Sequence, residues 1–139
     1  MERNLFYPKH IQPMEPFSQE KPFDDPEFLY QIKWDGVRYL AFIDGKEVKL
    51  QNRKLKVKTE LYPEFQSLAS HFKGKKGILD GEIIALGERG TPSFPKILRR
   101  DLLTRFKAEY QREIQAYYMI FDILYLEEKD LTGISLLDR

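Results

Sequence analysis

A chain of 139 residues is one domain's worth, and 23 Lys plus Arg against 22 Asp plus Glu leave it nearly neutral, so overall charge selects no acidic partner. The absence of cysteine excludes disulfides and thiolate-bound zinc, and two histidines, His10 and His71, argue against a histidine metal site or a Ser-His-Asp triad. MERNLFYPKH lacks the apolar run of a secretory signal, and YYMIFDILYL is too short for a bilayer and interrupted by Asp122, so a cytoplasmic protein is expected.

In chain order, residues 1–25 carry Pro8, Pro13, Pro16 and Pro22 without a sustained period, which predicts an extended arm ahead of a domain over residues 26–139. FLYQIK, VRYLAFID and KEVKLQN read as three strands, the last two joined at Asp44-Gly45, where positive backbone angles suit a tight hairpin. Leu61, Phe65, Leu68, Ala69 and Phe72 then recur at helical spacing with Gly74 as a stop, predicting an amphipathic helix. GILDGEIIAL is a buried strand with polar residues in its middle. SFPKILRRDLLTRF offers a serine cap and an early proline before a basic helix. QAYYMIFDILYL is the last strong strand, and Gly133 with ISLLDR leads toward another helix.

Basic residues gather locally: Lys46, Lys49, Arg53, Lys54, Lys56 and Lys58 in one segment, Lys96, Arg99, Arg100, Arg105 and Lys107 in another. Such clusters suit phosphates or form a solvated face. Acids and bases inside apolar strands are more informative, because a buried charge costs several kcal/mol unless it is paired or used. Three places have them: Lys33-Trp34-Asp35-Gly36, Asp80-Gly81-Glu82 and Phe121-Asp122. Lys33 with Asp35 alone reads equally as a salt bridge.

The set Lys33-Trp34-Asp35-Gly36-Val37-Arg38, Asn52-Arg53, Leu79-Asp80-Gly81-Glu82 and Phe121-Asp122-Ile123-Leu124-Tyr125-Leu126, in that order, resembles the ATP-dependent DNA ligases, covalent nucleotidyltransferases, and most closely the bacterial end-joining kind. Pro13-Met14, Pro92-Ser93-Phe94 and the closing Asp138-Arg139 extend the resemblance over nearly the whole chain. It implies an α+β fold in which antiparallel sheets with flanking helices hold the nucleotide.

The resemblance assigns roles residue by residue. Lys33 is the nucleophile that attacks the α-phosphate of ATP; it must be unprotonated, a form that a neighbouring cation such as Arg38 and a bound divalent metal both favour. Gly36 lets the backbone turn closely past the nucleotide. Arg38 faces the α-phosphate or the nick phosphate, and Arg53 the 5′-phosphate of the nick. Asn52 stands where the family has Ser or Thr, a departure that weakens the second assignment. Glu82 takes the ribose hydroxyl or, with Asp35, the metal, Mg2+ or Mn2+. Asp80 orients the turn or Lys33, or bonds to backbone. Phe121 stacks on adenine, Gln31 and Ile32 adjoin the base, and Trp34 covers the site. The helix of Lys96, Arg99 and Arg100 grips DNA backbone or forms a charged outer face.

Nicked double-stranded DNA and ATP are then the partners of a monomer that meets end-joining proteins, without a membrane. The rivals are an RNA ligase, a capping guanylyltransferase and a non-catalytic nucleotide- or DNA-binding module. The family's second glutamate, two further lysines and oligonucleotide-binding domain have no counterpart between Asp122 and Arg139. The expectation is therefore the N-terminal part of an adenylation domain that does not seal a nick unaided.

Overall fold

The computed structural model describes residues 11–139, so Pro8 and His10 lie outside the described residues. Five strands form one antiparallel sheet in the order β2-β1-β3-β4-β5. They are β1 (Val37–Asp44), β2 (Glu47–Asn52), β3 (Gly77–Ile84), β4 (Tyr117–Leu126) and the short β5 (Lys129–Asp130). Alternation along β1 divides the molecule. Tyr39, Ala41 and Ile43 enter the main core with Leu50, Leu61, Phe65, Leu79, Ile83 and Ile97, whereas Leu40 and Phe42 join Ile78 and Leu124 in a smaller cluster on the opposite face.

β1 and β2 meet through Gly45 and Lys46, one residue later than predicted. Positive φ falls on Gly45, at 60°, as a two-residue hairpin with glycine in the first central place requires. β4 and β5 join through Glu127 and Glu128, both non-glycine residues with positive φ (49° and 68°). Lys75 and Lys76 hold this unfavourable turn through ion pairs to Glu127 and Glu128 at 2.5 and 3.7 Å.

The main core is roofed by α1 (Leu68–Phe72), α2 (Phe94–Asp101), α3 (Ala108–Glu113) and two 3₁₀ segments, Thr59–Leu61 and Pro63–Ser67. A continuous helix from Leu61 to Phe72 was predicted, but Tyr62 leaves helical geometry (φ −133°, ψ 60°), because the following proline ring disfavours it there. The apolar period nevertheless works, since Leu61, Tyr62, Phe65 and Ala69 are buried. FLYQIK is not a strand either: it finds no ladder partner, and its Phe28, Leu29, Tyr30 and Ile32 are exposed. ISLLDR forms turns rather than a helix.

Charged side chains also fasten this roof. Arg100 is 1% exposed and donates to both Glu64 carboxylate oxygens (2.7 and 2.8 Å) and to the Leu61 and Ile114 carbonyls. Asp101 accepts hydrogen bonds from Tyr39 and Tyr62 hydroxyls at 2.5 and 3.0 Å. Burial and that carboxylate push both phenols well above their ordinary range.

Candidate nucleotidyltransferase site

The opposite face of the sheet holds the acids and bases of the motifs. Arg38 on β1 lies across from Glu82 on β3, and Leu40 from Asp80, so Arg38, Asp80 and Glu82 share a face by strand register. Arg38 forms a fork with Asp80, Nε to Oδ1 at 3.0 Å and Nη2 to Oδ2 at 2.6 Å. Its Nη1 donates to the Met14 carbonyl at 2.6 Å, and the guanidinium carbon stands 5.4 Å from the Phe121 ring centroid. Arg38 is thus fixed by a carboxylate, an assignment for Asp80 that the sequence alone left open.

Asp80 pairs across the sheet with Asp122 on β4, and each aspartate has its own arginine. Arg139 reaches back to Asp122 with Nε at 2.8 Å and Nη2 at 2.9 Å, and its Nη1 donates to the Ile134 carbonyl. The closing Arg139 therefore ties the last turns to β4. Burial nevertheless raises the Asp80 carboxyl, opposed by Arg38 and aided by the negative charge of Asp122. Burial likewise raises Glu82, against the Gly36 amide, Arg38 and Lys33.

Lys33 lies on an exposed stretch without regular structure, residues 31–35, that leads into β1. Its charge is felt at Glu82. No ion pair joins it to Asp35 among the described residues, so the simple salt-bridge reading of this pair has no geometric support. Gly36 brings this stretch against β3 so closely that a β-carbon there would collide with the Ile83 carbonyl oxygen. Gly81 is equally constrained, because a β-carbon would press on the Tyr118 ring at 2.6 Å. Gln31 donates to the Phe121 carbonyl at 3.2 Å and shares with Tyr30, Phe121, Asp122, Leu136 and Arg139 an open cleft of about 450 Å3. Ile32 is 69% exposed beside it.

The remaining sequence candidates separate. Asn52 caps its own loop, its Oδ1 accepting from the Lys54 and Lys56 amides at 3.0 Å each, and thereby presents Arg53 to solvent. Arg53 approaches Glu15 at 3.7 Å. The helix reading is corrected: Arg100 is buried beneath α2, Lys96 donates to the Leu86 carbonyl, and Arg99 pairs with Glu113 at 3.0 Å, so α2 presents no row of three phosphate-facing cations. The signal was available, since Ile97, Arg100 and Asp101 fall on one helical stripe. Among the described residues no three His, Cys, Asp or Glu side chains gather as a metal cage, and no helix is long and apolar enough to cross a membrane.

A glycine-turned lysine thus leads into a sheet whose aspartates are each paired with an arginine. The family model of the ATP dependent DNA ligase domain matches residues 12–139, and the chain belongs to that family. The multifunctional non-homologous end joining DNA repair protein LigD of Mycobacterium tuberculosis is 31% identical over 113 residues, 81% of this chain and 14% of that protein. DNA ligase 2 of Methanosarcina mazei is 36% identical over 120 residues, 81% of this chain and 20% of its own length. The solved ligase domain of M. tuberculosis LigD superposes with a TM-score of 0.65 at 32% identity, covering 77% of this chain and 32% of that one. A mycobacterial DNA ligase D solved with ATP and MES matches with the same TM-score. The α+β nucleotidyltransferase fold is therefore shown, as one five-stranded sheet, and the chain spans well under half of each relative.

Proposed function

We propose that this chain is part of the adenylation domain of an ATP-dependent DNA ligase, whose lysine–AMP chemistry serves strand joining in bacterial DNA repair. The observation that carries the reading is an exposed Lys33, free of any ion pair to Asp35 and turned into β1 by Gly36, inside a family match over residues 12–139. Lys33 Nζ attacks the α-phosphate of ATP; the nitrogen–phosphorus bond forms as the bond to pyrophosphate breaks, and the amine proton leaves to solvent. AMP then passes from Lys33 to the 5′-phosphate of nicked DNA, and the 3′-hydroxyl displaces AMP to seal the strand.

Phe121 is assigned to the adenine face, with Gln31 and Ile32 beside the base. Arg38 is assigned to the α-phosphate or nick phosphate and Arg53 to the nick 5′-phosphate. Glu82, directly across from Arg38 on the neighbouring strand, is suited to the ribose hydroxyl or to a metal. Mg2+ commonly takes one or two carboxylates plus substrate phosphates, and Asp35 with Glu82 fits that sparse donor set; Mn2+ is the alternative. When bound, the ion neutralises phosphate charge. The working protein is assigned as a cytoplasmic monomer that acts beside end-joining proteins.

Labelled ATP with magnesium tests the assignment. Covalent AMP should map by mass spectrometry to Lys33 and be discharged by nicked duplex DNA rather than by RNA ends. A label on another lysine, or noncovalent retention alone, would replace this reading with a binding module.

A further inference from the structure

The segment before the first strand touches both arginines assigned to phosphates. It is anchored upstream: Pro13 is buried, Ile11 packs against the Leu40–Phe42–Ile78–Leu124 cluster, and the Ile11 carbonyl accepts a 3.0 Å hydrogen bond from Gln51 Nε2. Beyond that anchor it is loosely held, with Met14 79% and Phe17 fully exposed. Asp80 binds two nitrogens of Arg38, and the third, Nη1, points at the Met14 carbonyl. The next residue, Glu15, sets its carboxylate 3.7 Å from Arg53. Two consecutive residues thus present oxygens to two arginines on different strands and loops.

We propose that Met14 and Glu15 form a strap whose oxygens stand in for phosphate at Arg38 and Arg53, and that the 5′-phosphate of a nicked duplex displaces it. The proposal rests on the assignment of Arg53 to the nick. The Met14 carbonyl is close, at 2.6 Å, but neutral, and the Glu15 carboxylate is solvent-exposed and stands 3.7 Å from Arg53, so neither is a bidentate anion. A phosphate forms charge-assisted, often bidentate bonds to guanidinium and outcompetes both. A duplex end bearing only a hydroxyl cannot, so the strap adds selectivity for ends that are ready to be joined.

Two nicked duplexes, identical except for 5′-phosphate or 5′-hydroxyl, provide the test. The spectrum of a nitroxide on Phe17→Cys, in a chain with no other cysteine, should sharpen with the phosphate duplex and stay unchanged with the hydroxyl duplex. In fluorescence anisotropy, Glu15→Gln should bind the phosphate duplex about two- to fivefold more tightly, the range of an exposed ion pair. Glu20→Gln, which removes the same charge farther along the exposed arm, should gain less. Immobilisation of the strap by DNA, equal gains in both variants, or no duplex binding overturns the proposal. Covalent labelling of Lys33 is read separately: labelled Lys33 with an unmoved strap sinks only the strap, while strap release without labelling sinks only the lysine–AMP reading.

Discussion

The two faces of the sheet use the same residue types for opposite ends. Under the helices, Arg100 has Glu64, two carbonyls and the Tyr62 ring around it, and Asp101 has two phenols and Lys58. Every donor there is turned inward, and the charges act as fasteners. On the other face the third nitrogen of Arg38 meets only the Met14 carbonyl of the exposed arm, Arg53 is largely in solvent, and Lys33 lies on an irregular stretch. A paired, enclosed charge contributes to the fold; a charge held by one side only is available to a ligand.

Four substitutions sharpen or break that contrast. Lys33→Ala should eliminate covalent AMP incorporation while moving thermal stability by no more than about 0.5 kcal/mol, as expected of an exposed position; mass spectrometry and a melt read the two. Arg100→Ala should do the reverse, costing about 3–5 kcal/mol in denaturant unfolding, because Glu64 and the Leu61 and Ile114 carbonyls lose their donor inside the core. Glu82→Gln tests the outward face by pH. Burial raises the Glu82 carboxyl above its ordinary 4.5, so the folded protein holds that proton more tightly than the unfolded chain does. The stability it supplies is complete below pH 4.5 and declines as pH rises through the elevated value. Thermal melts should therefore show a flatter decline above that pH in the amide variant. The smallest effect belongs to the β4–β5 turn: replacing Glu127-Glu128 with Asn-Gly should stabilise by about 1 kcal/mol, since those residues tolerate positive φ. A loss there would mean that the two lysine pairs outweigh the backbone strain.

Apolar runs of strand length bounded by turn residues made β1 to β4 legible, and the order of motif residues pointed to Lys33, Arg38, Arg53, Glu82 and Phe121. What escaped has physical reasons. β5 is two residues long, and α3, AEYQRE, buries none of its residues, so neither leaves a periodic signal. The break before Pro63 was readable from the proline itself. The Arg38–Asp80 fork needed strand register, which places Asp80 diagonally beside Arg38, and no local pattern contains that information. The hold of Arg139 on Asp122 likewise depends on the final turns folding back across β4.

Tyr118 has a further consequence. Its ring lies over the bare backbone of Gly81, and its hydroxyl donates to the carbonyls of Tyr39 and Leu79 at 2.8 and 3.1 Å, one on β1 and one on β3. A single phenol on β4 thus checks the alignment of β1 with β3, next to the register shifts between Ile78 and Leu79 and between Asp80 and Gly81. The β1–β2 hairpin can zip locally, but this check spans about half the chain, and such distant closures are slow. The alignment of Asp80 and Glu82 with Arg38 therefore leans on a residue that touches none of the three side chains.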